Sequence, residues 1–325
     1  MGDNLPNTGR TIGAPGSAGA NLRSIMLMIV AMACFTLADM LIKIASRTLP
    51  VGQIMMMLGI GSTLVFWSLM RLKREPVLFA PLRQPAVILR NIGDFIAALS
   101  MCLALAYVPL STIGAVIQMV PLMITAVAAL FLGERVGIRR LSAILVGFAG
   151  VLLILQPGRA DFDAMVILAL VAAIGMTARD VGTKLISQDL STLLLSLYGS
   201  AFFTLSGAVL LLVTGGATLP DSGMMWLFLA MIALGSLGYI FVTTAVRLGD
   251  MSVVSPFRYS RLLFSVAIGI LILDETVDAM MLSGCALTIG AGLYIWRREI
   301  MLQAAPSPEG GAPDGRAPDG DAGGH

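Results

Sequence analysis

The stretch TLADMLIKIAS at residues 36–46 recurs as TARDVGTKLIS at residues 177–187, with its threonine, aspartate, lysine and serine at matching places. The same offset of 141 residues places Glu134 on Glu275. Apolar matches are frequent by chance in a hydrophobic chain, whereas rare polar residues that recur at one fixed offset indicate an internal duplication. The chain is therefore predicted to contain two copies of one structural unit.

The composition places both copies in a membrane. Of the 325 residues, 57% are hydrophobic and only 12% are charged, whereas an average soluble domain has roughly 45–50% apolar and about 25% charged residues. A lipid bilayer removes the need for a charged surface, because the side chains that face it are apolar. The formal net charge of +2 comes without a basic tract, so a nucleic-acid partner is not expected.

Ten apolar runs of about 18–24 residues, each long enough to cross the hydrocarbon layer, divide equally between the two copies. Because five helices per copy is an odd number, the second copy must enter the membrane in the opposite direction to the first. The predicted fold is an all-α integral membrane protein with ten transmembrane helices as two inverted five-helix repeats. The predicted helices span residues 24–46, 51–71, 86–106, 110–132, 139–156, 163–186, 191–214, 223–246, 251–273 and 278–297.

The two repeats are assigned to residues 23–162 and 163–303. Residues 1–22 and 304–325 are low in apolar residues and rich in glycine and proline, and both are predicted to be disordered tails. Lysine and arginine concentrate in the loops after the second and fourth segments and after the tenth. Because such residues are enriched on the cytoplasmic side, we expect a multi-pass protein of the cytoplasmic (inner) membrane with both termini in the cytoplasm.

Few residues are available for catalysis or metal binding. The single histidine is His325, the last residue, and Cys34, Cys102 and Cys285 each lie inside an apolar run. No metal site, cofactor or catalytic residue is therefore predicted. The sequence also lacks a glycine-rich nucleotide loop and a G-x-S-x-G elbow, which argues against ATP-driven transport and serine hydrolysis.

The ninth segment carries the main candidates for substrate contact. An ionisable side chain costs about 2.5–3.5 kcal/mol at the centre of a membrane helix on insertion scales, so each one marks a candidate site. Arg258, Tyr259 and Arg261 follow Pro256, and the two arginines lie three residues apart on one helix face. They can hold a carboxylate or phosphate of a substrate, or they can pair with acids of the protein.

The third segment adds Arg90, Asn91 and Asp94 at a similar depth. Either Asp94 binds a substrate or a proton in a polar cavity wall, or it neutralises Arg90 or an arginine of the ninth segment while Arg90 extends to the interface. Gln118 occupies the repeat position of Tyr259, so both are expected to line a central cavity. Asn91, Asp94 and Gln118 therefore join the substrate-binding candidates, and Arg90 is assigned a structural role.

Two acid-to-base pairs recur in the repeat. Asp39 and Lys43 are spaced i, i+4, as are Asp180 and Lys184, and this spacing allows neutralisation within one helix. Their recurrence favours symmetric structural pairs that can act as gate latches, with direct substrate contact as the alternative. Arg179 points elsewhere around the helix and is expected to bind across to another segment.

The sequence resembles the EamA-type permeases of the drug/metabolite transporter superfamily. The resemblance covers both five-helix halves, with acidic ends at FLGERV (131–136) and ILDET (272–276). A narrower likeness to a bacterial subgroup lies in LRNIGDF (89–95), ARD (178–180) and SPFRYSRLLF (255–264). The resemblance implies a secondary transporter of a small organic metabolite that works by alternating access.

The resemblance leaves the cargo open. Members of the superfamily move riboflavin, S-adenosylmethionine, amino acids and nucleotide sugars, and the PFRY-x-RLLF likeness makes riboflavin the first candidate. S-adenosylmethionine or an amino-acid-like metabolite comes second. The expected partners are the small-molecule substrate and the lipid bilayer, and a homodimer is one option for the assembly.

Two other classes of function stay open at this point. One is a membrane-embedded enzyme that modifies lipid with Asp94, Asp180 and the arginines, and the other is a scaffold without transport. The inverted repeat favours a transporter, because catalysis gives no reason to duplicate a helical unit upside down. Charges inside the membrane argue against a scaffold, since leucine would cost less there.

Overall fold

The computed structural model describes residues 18–131, 138–156, 163–187, 190–220, 222–248 and 254–303. Within these ranges the protein is all-α, and every predicted membrane segment contains helix. The α-helices are α1 (Ala18–Ala45), α2 (Val51–Leu72), α3 (Pro85–Tyr107), α4 (Leu110–Ile117), α5 (Val120–Phe131), α6 (Ile138–Leu155), α7 (Val166–Leu185), α8 (Thr192–Thr214), α9 (Ser222–Leu248), α10 (Ser260–Leu273) and α11 (Ala279–Gln303). Short 3₁₀ helices over Ala80–Arg83 and Ser255–Tyr259 precede α3 and α10.

Eight spans in the described part of the chain are long and apolar enough to cross a membrane, with α4 and α5 counted as one span. The two remaining predicted segments are shorter as helices. One is α6, whose apolar part covers Leu141–Leu155, and the other consists of the second 3₁₀ helix and α10. The predicted ten-segment fold is confirmed, with two of its segments built from shorter helices than the apolar runs suggested.

The fourth and ninth segments are interrupted at equivalent places in the repeat. Gln118 and Met119 separate α4 from α5, and the 3₁₀ helix ends at Tyr259, where α10 begins. Pro121 and Pro256 lie beside these interruptions, and a proline ring removes one backbone donor from a helix. The side chain of Gln118 donates a hydrogen bond from Nε2 to the backbone carbonyl of Tyr259 at 3.5 Å. The two equivalent interruptions therefore contact each other.

Helix packing follows the duplication. α3 packs against α7, and the equivalent pair, α9 with α1, packs as well. α2 packs on α8 and α6 on α11, so each of these helices contacts its own equivalent, and α4 packs on α10, which belongs to the equivalent interrupted segment. Such a pattern is expected when two copies are related by a pseudo-two-fold axis, with the self-equivalent pairs on that axis. The two halves are thus interleaved rather than packed side by side.

Single contacts repeat in the same way. At the interface of α2 and α8, Thr63 Oγ1 lies 3.1 Å from Ser200 Oγ. The repeat equivalents of Ser200 and Thr63 are Gly59 and Thr204, and these two residues are also in close contact. Small residues at such positions let helix backbones approach closely in a membrane.

The closest approach of α3 and α7 involves two glycines. A Cβ atom on Gly93 would lie 2.5 Å from the backbone nitrogen of Arg179, and one on Gly175 would lie 2.5 Å from the backbone nitrogen of Ala97. Any larger residue would force the helices apart. This tight crossing joins the first half to the second and brings the charged residues of both helices together.

Candidate substrate site between the two halves

Arg179 lies between two carboxylates from different helices. Its Nε is 2.9 Å from Asp180 Oδ1 on α7, and its Nη1 is 3.6 Å from Asp94 Oδ1 on α3. Asp94 is nine residues into α3, about 13 Å along the helix at 1.5 Å per residue. Asp94 therefore has an ion-pair partner that sequence reasoning did not assign to it, since the expected partners were Arg90 and the arginines of the ninth segment.

Arg90 is buried beside the same carboxylate. Its side chain donates from Nη1 to Asn91 Oδ1 at 3.1 Å, and its Nε has no hydrogen-bond partner among the described residues. Gly199 of α8 makes room for both groups, because a Cβ atom there would lie 2.5 Å from Asp94 Oδ2 and 3.6 Å from Arg90 Nη2. The expectation that Arg90 extends to the interface was wrong, since only 5% of the residue is exposed.

Arg258 enters this group from the second 3₁₀ helix. Its guanidinium is attracted by Asp180 and repelled by Arg179. The Nε of Arg258 is buried without a hydrogen-bond partner, and the described ion pairs do not include this residue. Arg258, like Arg90, is thus without an ion pair in the described part of the protein, and unlike Arg90 it has no described side-chain hydrogen bond there.

Arg261, one turn further on, has a different environment. Its Nη2 lies 2.6 Å from Asp39 Oδ2, and its guanidinium sits 5.9 Å from the centre of the Phe35 ring. The predicted pairing of Asp39 with Lys43 is therefore not what the structure shows. Lys43 donates instead to the carbonyls of Val108 and Leu105, at 2.5 and 3.3 Å. Carbonyls at a helix C-terminus lack partners within the helix, so a lysine there is well placed.

The equivalent pair in the second half differs as well. Asp180 forms an ion pair with Arg179. The side chain of Lys184, the predicted partner of Asp180, lies outside the described residues. Arg179 itself reaches α3, which is the kind of contact across segments that its position suggested. The recurring aspartates Asp39 and Asp180 are thus both paired with arginine, but with arginines that are not equivalent in the repeat.

Tyr259 and Gln118 meet near the pseudo-two-fold axis, but the ring of Tyr259 points to another neighbour. Its hydroxyl group packs against Gly292 of α11, where a Cβ atom would not fit. Gln118 is buried and reaches the carbonyl of Tyr259. The expectation that Gln118 and Tyr259 line one central cavity therefore stays a prediction, with the hydroxyl group of Tyr259 directed at α11.

Sequence reasoning missed Tyr239 of α9. This side chain lies near Arg90 and Arg179, and its ring meets Phe66 edge-on at 5.4 Å between centroids. A tyrosine in an apolar segment resembles an ordinary packing residue, so no local signal marked it. Tyr239 completes what we call the central charge cluster, which consists of Arg90, Asp94, Arg179, Asp180, Arg258 and Tyr239.

Comparisons with known proteins agree with this architecture. A family model described as the EamA-like transporter family matches residues 22–156 and again residues 163–297. A solved crystal structure superposes with a TM-score of 0.55 at 20% identity, covering 87% of this chain and 99% of that one. At this identity the structural likeness shows the fold alone.

Three kinds of curated relative are similar in sequence. A pseudopaline exporter of Pseudomonas aeruginosa is 26% identical over 280 residues, which is 85% of this chain and 96% of the relative. A riboflavin transporter of Rhizobium johnstonii is 30% identical over 62% of this chain and 67% of the relative. An S-adenosylmethionine uptake transporter of Rickettsia felis is 27% identical over 64% of this chain and 70% of the relative. The relatives are thus named as transporters of different small molecules.

Proposed function

The chain belongs to the EamA-like transporter family, and from this premise we propose that it moves a small organic metabolite across the inner membrane by alternating access. It is a multi-pass membrane protein and a metabolite permease of that family. What we add is the mechanism, the orientation and the cargo. Both termini are placed in the cytoplasm because the lysine- and arginine-rich loops share that side.

One observation carries the mechanism: Asp94 of the first half and Arg179 of the second half meet at 3.6 Å at a helix crossing between the halves. In transporters built from inverted repeats, the substrate site lies near the midplane where the repeats meet. Rocking the halves against each other would open this crossing to either side in turn. A charged cluster at the centre of the interface is suited to bind cargo in both positions.

For the cargo, riboflavin remains the first molecule to test, because relatives named riboflavin transporters match and the SPFRYSRLLF segment (255–264) resembles that subgroup. S-adenosylmethionine is the second, and amino-acid-like metabolites are the third. Of the earlier alternatives, the family membership favours a permease over a lipid-modifying enzyme. A homodimer is retained as a proposal for the assembly.

Counterflow in proteoliposomes tests the permease. Vesicles containing the purified full-length protein are preloaded with unlabelled riboflavin, S-adenosylmethionine or a mixture of amino acids, and labelled solute is added outside. We expect transient, saturable accumulation of one solute above the level in protein-free vesicles, without added ATP. The Arg258→Gln variant should lose this accumulation, whereas Arg83→Gln, which removes the charge of an exposed arginine, should retain it. Release of modified lipid instead of solute exchange would contradict the permease.

A further inference from the structure

The central charge cluster contains more positive than negative groups. Among its described members, Arg90, Arg179 and Arg258 supply three guanidinium groups, whereas Asp94 and Asp180 supply two carboxylates. Arg179 occupies both carboxylates through its two contacts. One positive charge is therefore left over in the described cluster. Neither Arg90 nor Arg258 has a described ion pair, but Arg90 lies beside Asp94 and donates to Asn91, whereas no hydrogen bond of the Arg258 side chain is described.

An unpaired charge inside the hydrocarbon layer is unfavourable, and it is usually compensated by a counter-ion or by water. The neighbours of Arg258 do not solve the problem, because Arg179 repels it and Asp180 is already bonded to Arg179. The described residues supply no further carboxylate beside Arg258, so a bound molecule is the candidate source of the missing negative charge. Arginine is well suited to hold one, since its planar fork can bind a carboxylate or a phosphate with two hydrogen bonds.

The duplication supports a ligand-binding role for the excess charge. Asp39 and Asp180 recur in both halves, and such recurring groups belong to the common scaffold. The excess does not recur: the repeat equivalents of Arg90, Arg179 and Arg258 are Met231, Ala38 and Ile117. Each of these arginines is present in one copy without its equivalent in the other, Arg90 in the first and Arg179 and Arg258 in the second. A common scaffold gives no reason for this asymmetry, whereas a site that recognises one asymmetric molecule does.

We propose that the cargo carries an anionic group, a carboxylate or a phosphate, that pairs with Arg258 in the central charge cluster. This inference rests on the proposed transport function and names the chemical class of its substrate. It also ranks the candidate cargoes. Riboflavin is uncharged at neutral pH, whereas S-adenosylmethionine and amino acids carry a carboxylate that can pair with an arginine, so the need for an anionic group places them first.

The first test needs no ligand. If Arg258 is an uncompensated charge in the empty protein, Arg258→Gln should leave the melting temperature in detergent unchanged or raise it. Arg179→Gln should lower it, because that substitution leaves two buried carboxylates without their partner. A drop in melting temperature for Arg258→Gln as large as that for Arg179→Gln would overturn the proposal, since it would show that Arg258 has a structural partner.

The second test compares molecules that differ only in the anionic group. Riboflavin is paired with flavin mononucleotide, which adds a phosphate, and S-adenosylmethionine is paired with its decarboxylated form. We expect the anionic member of at least one pair to stabilise the purified protein against heat at a concentration at least about tenfold lower than its partner needs, as expected for an ion pair worth about 1.4 kcal/mol. Which of the two pairs responds also shows whether the site prefers a phosphate or a carboxylate.

The variants complete the second test. Arg258→Gln should abolish the difference within a pair, and Arg83→Gln should preserve it. Equal responses within both pairs, or a preference that survives Arg258→Gln, would overturn the proposal. If none of the four molecules binds, the ligand-free comparison decides alone. If the protein prefers the anionic ligands but shows no counterflow, the proposed transport function is wrong and the anion site stands. If it shows counterflow without an anion preference, the transport function stands and the anion site is wrong.

Discussion

Glu275 of the second half accepts two hydrogen bonds from Ser111 of the first half, from the backbone nitrogen at 2.9 Å and from Oγ at 2.7 Å. Its other carboxylate oxygen accepts from the backbone nitrogen of Leu110 at 2.6 Å. These groups form the start of α4, where backbone N–H groups lack partners in the helix and the helix dipole attracts negative charge. The carboxylate thus caps a helix of the opposite half and ties the halves together on one face.

The backbone around Glu275 is shaped for this contact. Asp274 ends α10 in the left-handed conformation, with φ at 54°, and Glu275 donates from its own nitrogen to the carbonyl of Gly269 at 2.8 Å. This turn directs the carboxylate back across α10 towards α4. Lys43, which holds the carbonyls at the end of α3, also interacts favourably with the charge of Glu275. In the proposed orientation this cap lies on the outer side, and we infer that it holds that side closed.

Removing the charge of Glu275 should weaken that closure. Glu275→Gln exchanges a charged acceptor for a neutral one, and a hydrogen bond to a charged group contributes about 1.5–3 kcal/mol. We expect outer-side labelling of a cysteine at position 113, a fully buried residue of α4, to become about tenfold faster. Asp274→Asn is the matched control, because it removes a neighbouring exposed charge without touching the cap. Equal labelling in both variants would show that the cap does not hold this face closed.

A methyl group at Gly269 should open the same face without removing a charge. A Cβ atom there would lie 2.5 Å from Glu275 Oε2, and overpacking of this kind typically costs about 1–3 kcal/mol. Gly269→Ala is therefore expected to reproduce the labelling of Glu275→Gln. Gly290→Ala is the control, because a Cβ atom on Gly290 meets nothing within 4 Å. If the cysteine at position 113 is labelled at the same rate in Gly269→Ala as without that substitution, the Glu275 carboxylate does not need the space beside Gly269 to cap α4.

Gly199→Ala should damage the central charge cluster. The added methyl group would push against Asp94 Oδ2 and the guanidinium of Arg90, so the paired charges of α3 would have to shift. We expect counterflow to fall at least about tenfold while the protein still inserts into the membrane, because the change is a single methyl group. Gly235→Ala adds the same group where nothing lies within 4 Å, and it should transport normally. A fully active Gly199→Ala protein would show that transport does not depend on the arrangement of Asp94 and Arg90.

The proposed orientation can be tested in intact cells. Leu78 lies in the loop between α2 and α3 and Leu219 between α8 and α9, and the exposed fractions are 44% and 99%. A cysteine at position 219 should react with an impermeant maleimide from outside, and one at position 78 should react only after permeabilisation. The native cysteines Cys34, Cys102 and Cys285 are all buried, so the background should be low. The reverse pattern would place the termini outside.

Sequence reasoning reached the fold more fully than the site, for physical reasons. Hydrophobic length defines a membrane segment on its own, so the ten segments were predicted, with ends that differ from those of the described helices by up to six residues. Partners of charged groups depend on which helices touch, and Glu275 reaches Ser111 across 164 positions of the chain. The sequence marked Glu275 only as a landmark of the repeat, and its capping role needed the packing of α4 on α10. Tyr239 was missed for the same reason.

The pairing of Asp39 distinguishes the sequence-based hypothesis from the structure. Spacing within one helix favoured Lys43 as its partner, whereas the structure pairs Asp39 with Arg261 at 2.6 Å. Removing one member of a buried ion pair typically costs about 3–5 kcal/mol, because the other charge is left without compensation. We therefore expect Asp39→Asn to lower the melting temperature and the yield of membrane-inserted protein.

Two double variants then identify the partner of Asp39. Asp39→Asn combined with Arg261→Gln removes both charges, so stability should recover to near that of the unsubstituted protein, and the coupling energy from the double-mutant cycle should be at least about 1 kcal/mol. Asp39→Asn combined with Lys43→Gln should be less stable than either single variant, because Lys43 binds the carbonyls of Leu105 and Val108 rather than the carboxylate. If stability recovered with Lys43→Gln and not with Arg261→Gln, Asp39 would be paired with Lys43 within α1 rather than with Arg261 of α10.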